Sequence, residues 1–180
     1  MVNLITAIAF DPEMNLGRAY NNIMSRLNDD DWCCFIDHDV MFTTKRWYQQ
    51  ICDVIEDRPD AGIITCLTNR VGNPNQIFHS YPDDESEHNI IYHRALGEKL
   101  AKETLIRDVT NQHHKQLISG MLMCISKKVW NQIGGFKDGF LGVDNRAHTD
   151  VRDIGYKVYC IDSLYVYHWY RADGVHPCKT

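Results

Sequence analysis

Apolar residues gather in short runs along the chain, with polar breaks between them. Residues 2–10 (VNLITAIAF) predict a first strand, buried and central, broken by Asp11-Pro12-Glu13. Over residues 15–27, Leu16, Ala19, Tyr20, Ile23 and Leu27 recur at helical spacing. After Asp29-Asp30-Asp31, residues 32–36 (WCCFI) form a continuous apolar run of strand length, which predicts a strand covered on both faces. Thr43 or Thr44 can cap a helix reaching Glu56, with Trp47, Ile51, Val54 and Ile55 on one face. Arg58-Pro59-Asp60 ends that helix, and residues 61–67 (AGIITCL) predict another buried strand. Strand, helix, strand, helix, strand in that order argues for right-handed crossovers and a mostly parallel α/β sheet flanked by helices.

The second half is less regular. Asn, Gly, Pro, Asp and Ser crowd residues 68–87, a long surface excursion of the kind that is functional or disordered. Residues 90–109 predict a helix with Leu96, Leu100 and Leu105 as its apolar positions. A short strand over 121–125 follows, then a helix over 127–133 capped by Ser126 and stopped by Gly134-Gly135. Ala147, Val151 and Ile154 line one side of a helix over 144–154, which Gly155 stops. Residues 156–161 and 164–168 predict two closing strands, and a loose polar tail follows Trp169. No repeat and no linker divides the chain, so one domain over residues 1–180 is expected.

Composition narrows the function classes. The chain has 24 acidic residues against 19 Lys and Arg, with no basic stripe, so nucleic acid is not an expected partner. No apolar run is long enough to span a bilayer, and residues 2–10 lack a basic leader and a cleavage site, so a cytoplasmic location is expected. Seven cysteines without paired spacing fit the same compartment; Cys33, Cys34, Cys66, Cys124 and Cys160 fall in strand-like runs and read as buried thiols. No CxxC pair points to zinc.

Candidate chemistry begins at Asp37-His38-Asp39, directly after the run 32–36. Ligands in open α/β sheets bind beyond the carboxyl ends of strands. Two acids one residue apart there can hold a hard divalent cation such as Mn²⁺ or Mg²⁺. A turn that caps the next helix is the competing reading. Residues 15–22 (NLGRAYNN) open the first helix, whose N-terminus offers free N–H groups and the positive end of its dipole, with Gly17 allowing close approach. A capped helix that tolerates a glycine is the alternative there. Two further pieces are residues 119–136 (SGMLMCISKKVWNQIGGF), followed by an acid-bearing helix, and Tyr165-Val166-Tyr167-His168, a strand ending in histidine. Read alone, His168 is a core histidine at a strand end.

In order and spacing, these four pieces resemble the GT-A glycosyltransferases, specifically the family 2-like enzymes that use nucleotide-diphosphate sugars. Ile36-Asp37-His38-Asp39 is similar to the family's DxD strand end, and residues 15–21 to its NxGxAxN segment. Ser119-Gly120 through Ile133-Gly134-Gly135-Phe136 is similar to its (S/T)G…iGGF segment. Asp144 stands where the family carries the last acid of its ED motif, and His168 where it has the histidine that closes the metal site.

The resemblance implies a GT-A, Rossmann-like fold with a nucleotide- and metal-binding half over 1–67, the excursion over 68–118 and an acceptor half over 119–170. It implies Mn²⁺ or Mg²⁺ on Asp37, Asp39 and His168. A UDP- or GDP-sugar donor would be held by Ala9, Phe10, Asp11, Asn15, Gly17, Arg18, Asp37, His38 and Gly120. Asp144 would be the general base of an inverting transfer, and a glycan acceptor would be contacted by Asp138, Phe140 and Trp169.

The chain departs from the family in two places. The strand–helix–strand usual between the first strand and the NxG segment is absent, which removes the acid that reads the nucleotide base and leaves Asp11 and Arg18 as candidates for that work. Val143 also replaces the first acid of the ED pair. Two other readings therefore stay open: a sugar-phosphate nucleotidyltransferase, and a catalytically inactive nucleotide-sugar or glycan-binding module. His79, His88, His93, His113 and His114 read as solvated loop histidines, and the excursion as a lid over the acceptor side.

Overall fold

The apolar runs at residues 32–36 and 61–67 become inner strands of one sheet. The structure, a computed structural model, describes residues 2–78 and 88–169. Its elements are β1 (Asn3–Ala7), α1 (Leu16–Met24), β2 (Asp31–Ile36), β3 (Val40–Phe42), α2 (Trp47–Asp57), β4 (Ala61–Thr68), α3 (Ile90–Leu100), β5 (Ile106–Asp108), β6 (Leu122–Ser126), α4 (Lys127–Gln132), α5 (Val143–Asp153) and β7 (Lys157–His168). The loose tail expected after Trp169 lies outside the described residues.

The sheet has seven strands in the order β1-β2-β6-β4-β7-β3, with β5 also on β7. β1 runs parallel to β2, and β4 parallel to β7. β6 enters antiparallel between β2 and β4, and β3 and β5 run antiparallel to β7. The fold is thus α/β as expected, but the sheet is mixed rather than mostly parallel. Two βαβ units do set their own strands parallel. No local pattern announces that a later strand will slot between them.

Other expectations change for related reasons. β1 is an edge strand, not a central one. With a neighbour on one side only, it leaves Ile8 and Phe10 beyond its end 56% and 83% exposed. The helix expected over 90–109 stops at Leu100, and Ile106–Asp108 pairs with the open edge of β7. The two closing strands are one 12-residue strand, β7. Its register slips where Cys66 faces Ile161 and Leu67 faces Tyr165, a bulge that takes up the polar Asp162-Ser163 step. Ser126 does cap α4, accepting from the Val129 N–H at 3.1 Å, and Gly134 and Gly135 stop it with φ of 74° and 82°.

Alternation along the strands splits the core in two. Cys33 and Phe35 of β2 face the layer of α1, α3, α4 and α5, where they meet Tyr20, Leu96, Val129 and Val151. Cys34 faces α2, with Ile51, Cys66 and Cys124. All six described cysteines are free and buried. Burial pushes the Cys33 thiol up to about 12, so it stays protonated and inert. Among the described residues, no helix is long and apolar enough to cross a membrane.

Candidate metal and transfer site

β2 and β7 end at the same edge of the sheet. Beyond Ile36 the chain turns tightly: the Asp37 N–H donates to the Met121 carbonyl at 3.0 Å and the Val40 N–H to the Asp37 carbonyl at 3.1 Å. β3 then pairs with β7, placing Val40 opposite His168, and the Trp169 N–H donates to the Asp39 carbonyl at 3.1 Å. The Asp-His-Asp segment is therefore a turn, but not a helix cap; α2 has Arg46 at its N-cap position and no side-chain cap bond. The turn aims two carboxylates at a histidine from the far end of the sequence.

His168 Nε2 lies 3.2 Å from Asp39 Oδ1 and 3.7 Å from Asp37 Oδ2. One ligand atom from each of the three residues falls within 4.8 Å of the others, and the group is the one cluster of three potential metal ligands among the described residues. The imidazole is 3% exposed, whereas the Asp39 and Asp37 side chains are 26% and 42% exposed. The His168 Nδ1–H donates to the Arg70 carbonyl at 2.9 Å, which turns Nε2 toward the carboxylates. Two carboxylate oxygens and one imidazole nitrogen form a donor set that fits Mn²⁺ or Mg²⁺.

The electrostatics of the pair are uneven. Desolvation pushes the Asp37 carboxyl up to about 6 against the pull of His168, and the charges of Asp39 and Asp144 push the same way. The hydrogen bond from His168 holds the Asp39 carboxyl below its usual range. His38 is exposed.

Asp144 stands in the first turn of α5, after Gly142 in the left-handed region with φ of 74°. Its Oδ2 accepts from the Gly120 N–H at 2.6 Å and its Oδ1 from the Asn145 N–H at 2.9 Å. A Cβ at Gly120 would lie 3.1 Å from Asp144 Cβ, so the glycine makes room for the acid. Burial raises the Asp144 carboxyl despite both N–H bonds. The positive end of the α5 dipole favours the ionised form; desolvation outweighs it. Val143, in place of the family's first acid, is 4% exposed and packs in the core.

The start of α1 is built differently. Arg18 holds Asp11 with two bonds of 2.7 Å, and its Nη2 also reaches Glu13 at 2.7 Å. The guanidinium holds the Asp11 carboxyl down at about 2. Asn15 Oδ1 accepts from the Arg18 N–H at 2.9 Å and the Gly139 N–H at 3.0 Å, and the Gly17 N–H donates to the Gly139 carbonyl at 3.1 Å. A Cβ at Gly17 would run into the Lys137 carbonyl oxygen. The close approach expected of a ligand at Gly17 is taken by the chain itself. Ala9 packs half-buried against the core, while Phe10 projects into solvent.

Asn21 explains why the NxGxAxN-like and iGGF-like segments occur together. Its Oδ1 accepts from the Trp130 Nε1–H at 2.9 Å and the Phe136 N–H at 2.8 Å, and its Nδ2 donates to the Phe136 carbonyl at 2.8 Å.

The three residues expected at the acceptor divide between two places. Asp138 lines a surface depression of about 350 Å³ with Lys137, Leu141, Val143 and Arg146, and Phe140 stands on the same loop. Trp169 lies beside Asp39, its ring 5.3 Å from His88 and 6.2 Å from Tyr167. The loop histidines also divide. His93 is fully buried, with Nδ1 2.7 Å from the Tyr165 hydroxyl, contrary to the solvated reading, because α3 packs on β7 as a wall. His88, His113 and His114 are exposed, and His79 lies outside the described residues, as does the 79–87 part of the expected lid. Asn69, which bonds the His168 backbone, had no signal in the sequence beyond its place after a strand. Compared with protein-family models and with curated proteins, the chain matches none.

Proposed function

We propose that the chain is a divalent-metal-dependent glycosyltransferase that moves a sugar from a nucleotide-diphosphate donor, UDP- or GDP-linked, to a glycan acceptor with inversion. The observation that carries this reading is the convergence of Asp37, Asp39 and His168 on one point at the carboxyl edge of the sheet, with Nε2 as the ring nitrogen that faces the carboxylates. A bound Mn²⁺ or Mg²⁺ would neutralise the charge that develops on the diphosphate leaving group.

The protein's own residues supply the rest. Asp37, Asp39 and His168 would hold the ion. Asp144 takes the proton of the attacking acceptor hydroxyl on its carboxylate; its raised affinity for a proton suits that work. The Gly120 and Asn145 N–H groups fix its orientation and leave each oxygen further acceptor capacity. The base-reading role considered for Asp11 is weakened by its pairing with Arg18, and the donor is held mainly from the diphosphate side.

One observation favours a second reading, a nucleotide-sugar-binding module without turnover: Val143 is built into the core where the family carries an acid. Titrating UDP, GDP and their sugars by calorimetry with and without Mn²⁺, then assaying sugar-nucleotide hydrolysis, separates the two. Metal-dependent binding with slow hydrolysis is expected. Binding without turnover under any acceptor would favour the module. Pyrophosphate release from a nucleoside triphosphate and a sugar phosphate would point instead to a nucleotidyltransferase.

A further inference from the structure

The last ladder pairs of β4 with β7 are Leu67 with Tyr165 and Thr68 with Val166. Beyond them a side chain takes over the work of the backbone. Asn69 Oδ1 accepts from the His168 N–H at 2.7 Å, and Asn69 Nδ2 donates to the His168 carbonyl at 3.1 Å. These are the two bonds that a paired backbone residue would make. Asn69 is 3% exposed, so its carboxamide has little water to turn to. One residue on, the Arg70 carbonyl accepts from His168 Nδ1–H. A carbonyl can only accept, so this bond keeps a hydrogen on Nδ1 and turns Nε2 toward Asp39 and Asp37, the side on which a bound cation would meet its lone pair. Two consecutive residues therefore hold both the backbone and the ring of His168.

Stitching β4 to β7 does not by itself call for this clasp. The ladder already joins the strands up to Val166, and the Thr43 hydroxyl holds the Tyr165 carbonyl from the other side. What the clasp adds is confined to His168. We infer that Asn69 is a positioning residue for the candidate metal site. It fixes the His168 main chain so that Nδ1 meets the Arg70 carbonyl and Nε2 meets the carboxylates. This rests on the metal reading given above.

The test uses ¹⁵N-labelled protein and the variants Asn69→Ala and Asn69→Asp. Long-range ¹H–¹⁵N spectra of metal-free protein report the His168 tautomer. Titration with Mn²⁺ gives the affinity, and pulsed paramagnetic resonance reports nitrogen coupling to the bound ion. Wild type should show hydrogen on Nδ1 and a nitrogen-coupled Mn²⁺. Asn69→Ala should mix the tautomers, weaken or abolish the coupling, and lower Mn²⁺ affinity by about 10–100-fold, the range for loss of an outer-shell partner. Asn69→Asp keeps the acceptor for the His168 N–H and loses the donor to its carbonyl. It serves if the alanine variant fails to fold. It is read by tautomer alone, because its added charge shifts metal affinity independently. A mixed tautomer is expected there too.

Folded variants with the wild-type tautomer and wild-type nitrogen coupling would overturn the inference and leave the metal reading standing. A wild type that binds Mn²⁺ without nitrogen coupling would instead overturn His168 as a ligand, while the tautomer spectra still decide what Asn69 does.

Discussion

Two acid-bearing segments meet at the carboxyl edge of the sheet, Asp11 to Arg18 after β1 and Asp37 to Asp39 after β2. Both carry the residue types that hold nucleotides and metals, yet they are finished in opposite ways. In the first, Asp11 is matched by a two-pronged guanidinium and by backbone N–H groups, and its carboxyl falls to about 2. The helix start behind it is closed by Asn15 and by the 137–139 loop. In the second, two carboxylates and an imidazole nitrogen face one another, and the Asp37 carboxyl rises to about 6. The first segment is complete as it stands. The second sets two carboxylates beside one imidazole, an arrangement that a cation would relieve. The capacity for ligand chemistry lies in which polar groups the fold sets face to face, more than in the residue types themselves.

The comparison can be broken at several points. The largest expected effect is on transfer: Asp144→Asn should lower the rate by about 10²–10⁴-fold, the usual contribution of a general base, while donor binding by calorimetry stays unchanged. Normal transfer by that variant would rule out Asp144 as the base. Next, Asp39→Ala should weaken Mn²⁺ binding by at least about 100-fold, more than an outer-shell change, because it removes a ligand. Arg18→Ala should leave Mn²⁺ affinity as it is. If both variants weakened the metal equally, the division between the segments would fail.

Gly17→Ala should destabilise the fold by about 2 kcal/mol in urea unfolding, as overpacking against backbone does, without moving metal affinity. A stable variant with weakened donor binding would return Gly17 to the ligand side.

The smallest effects are in the pH dependence of stability, and their signs are opposite. The folded carboxyl of Asp11 lies below its usual 3.8, so its stabilisation is present above about pH 4 and lost as pH falls toward 2. Asp11→Asn should flatten that limb of the urea midpoint. Asp37 lies above 3.8, so in metal-free protein its contribution is present below about pH 4 and is lost as pH rises through 6. Asp37→Asn should remove that loss. Its size is limited to about 1 kcal/mol, because the 42% exposed carboxylate is screened by solvent. Limbs of the same sign would contradict the division.

Particular residues show how far the sequence could be read. The run 32–36 was legible as a buried strand because both of its faces are covered, and continuous apolarity is the imprint of that burial. Ser126 and Gly134-Gly135 were legible because caps and stops act within one turn. β1 was misplaced because an apolar run carries no count of its neighbours, and β5 was taken into a helix because Ile106-Arg107-Asp108 is too short to show a period. Asp37 and Asp39 stood out by their place after a strand. His168 looked like a core histidine until the resemblance set it beside them, and Asn69 and Arg70 had no pattern to mark them.

The sequence alone determined the elements with local causes: the buried runs, the helix faces, the caps, and the pair of acids that ends β2. Tertiary structure decided how those pieces meet: β6 slipping antiparallel between two parallel pairs, the 137–139 loop closing the start of α1, and β7 carrying His168 to Asp39 with Nε2 in front. Local preferences act over a few residues. The matching of one polar group by another across the chain depends on which strand ends share an edge, and only the packed sheet sets that.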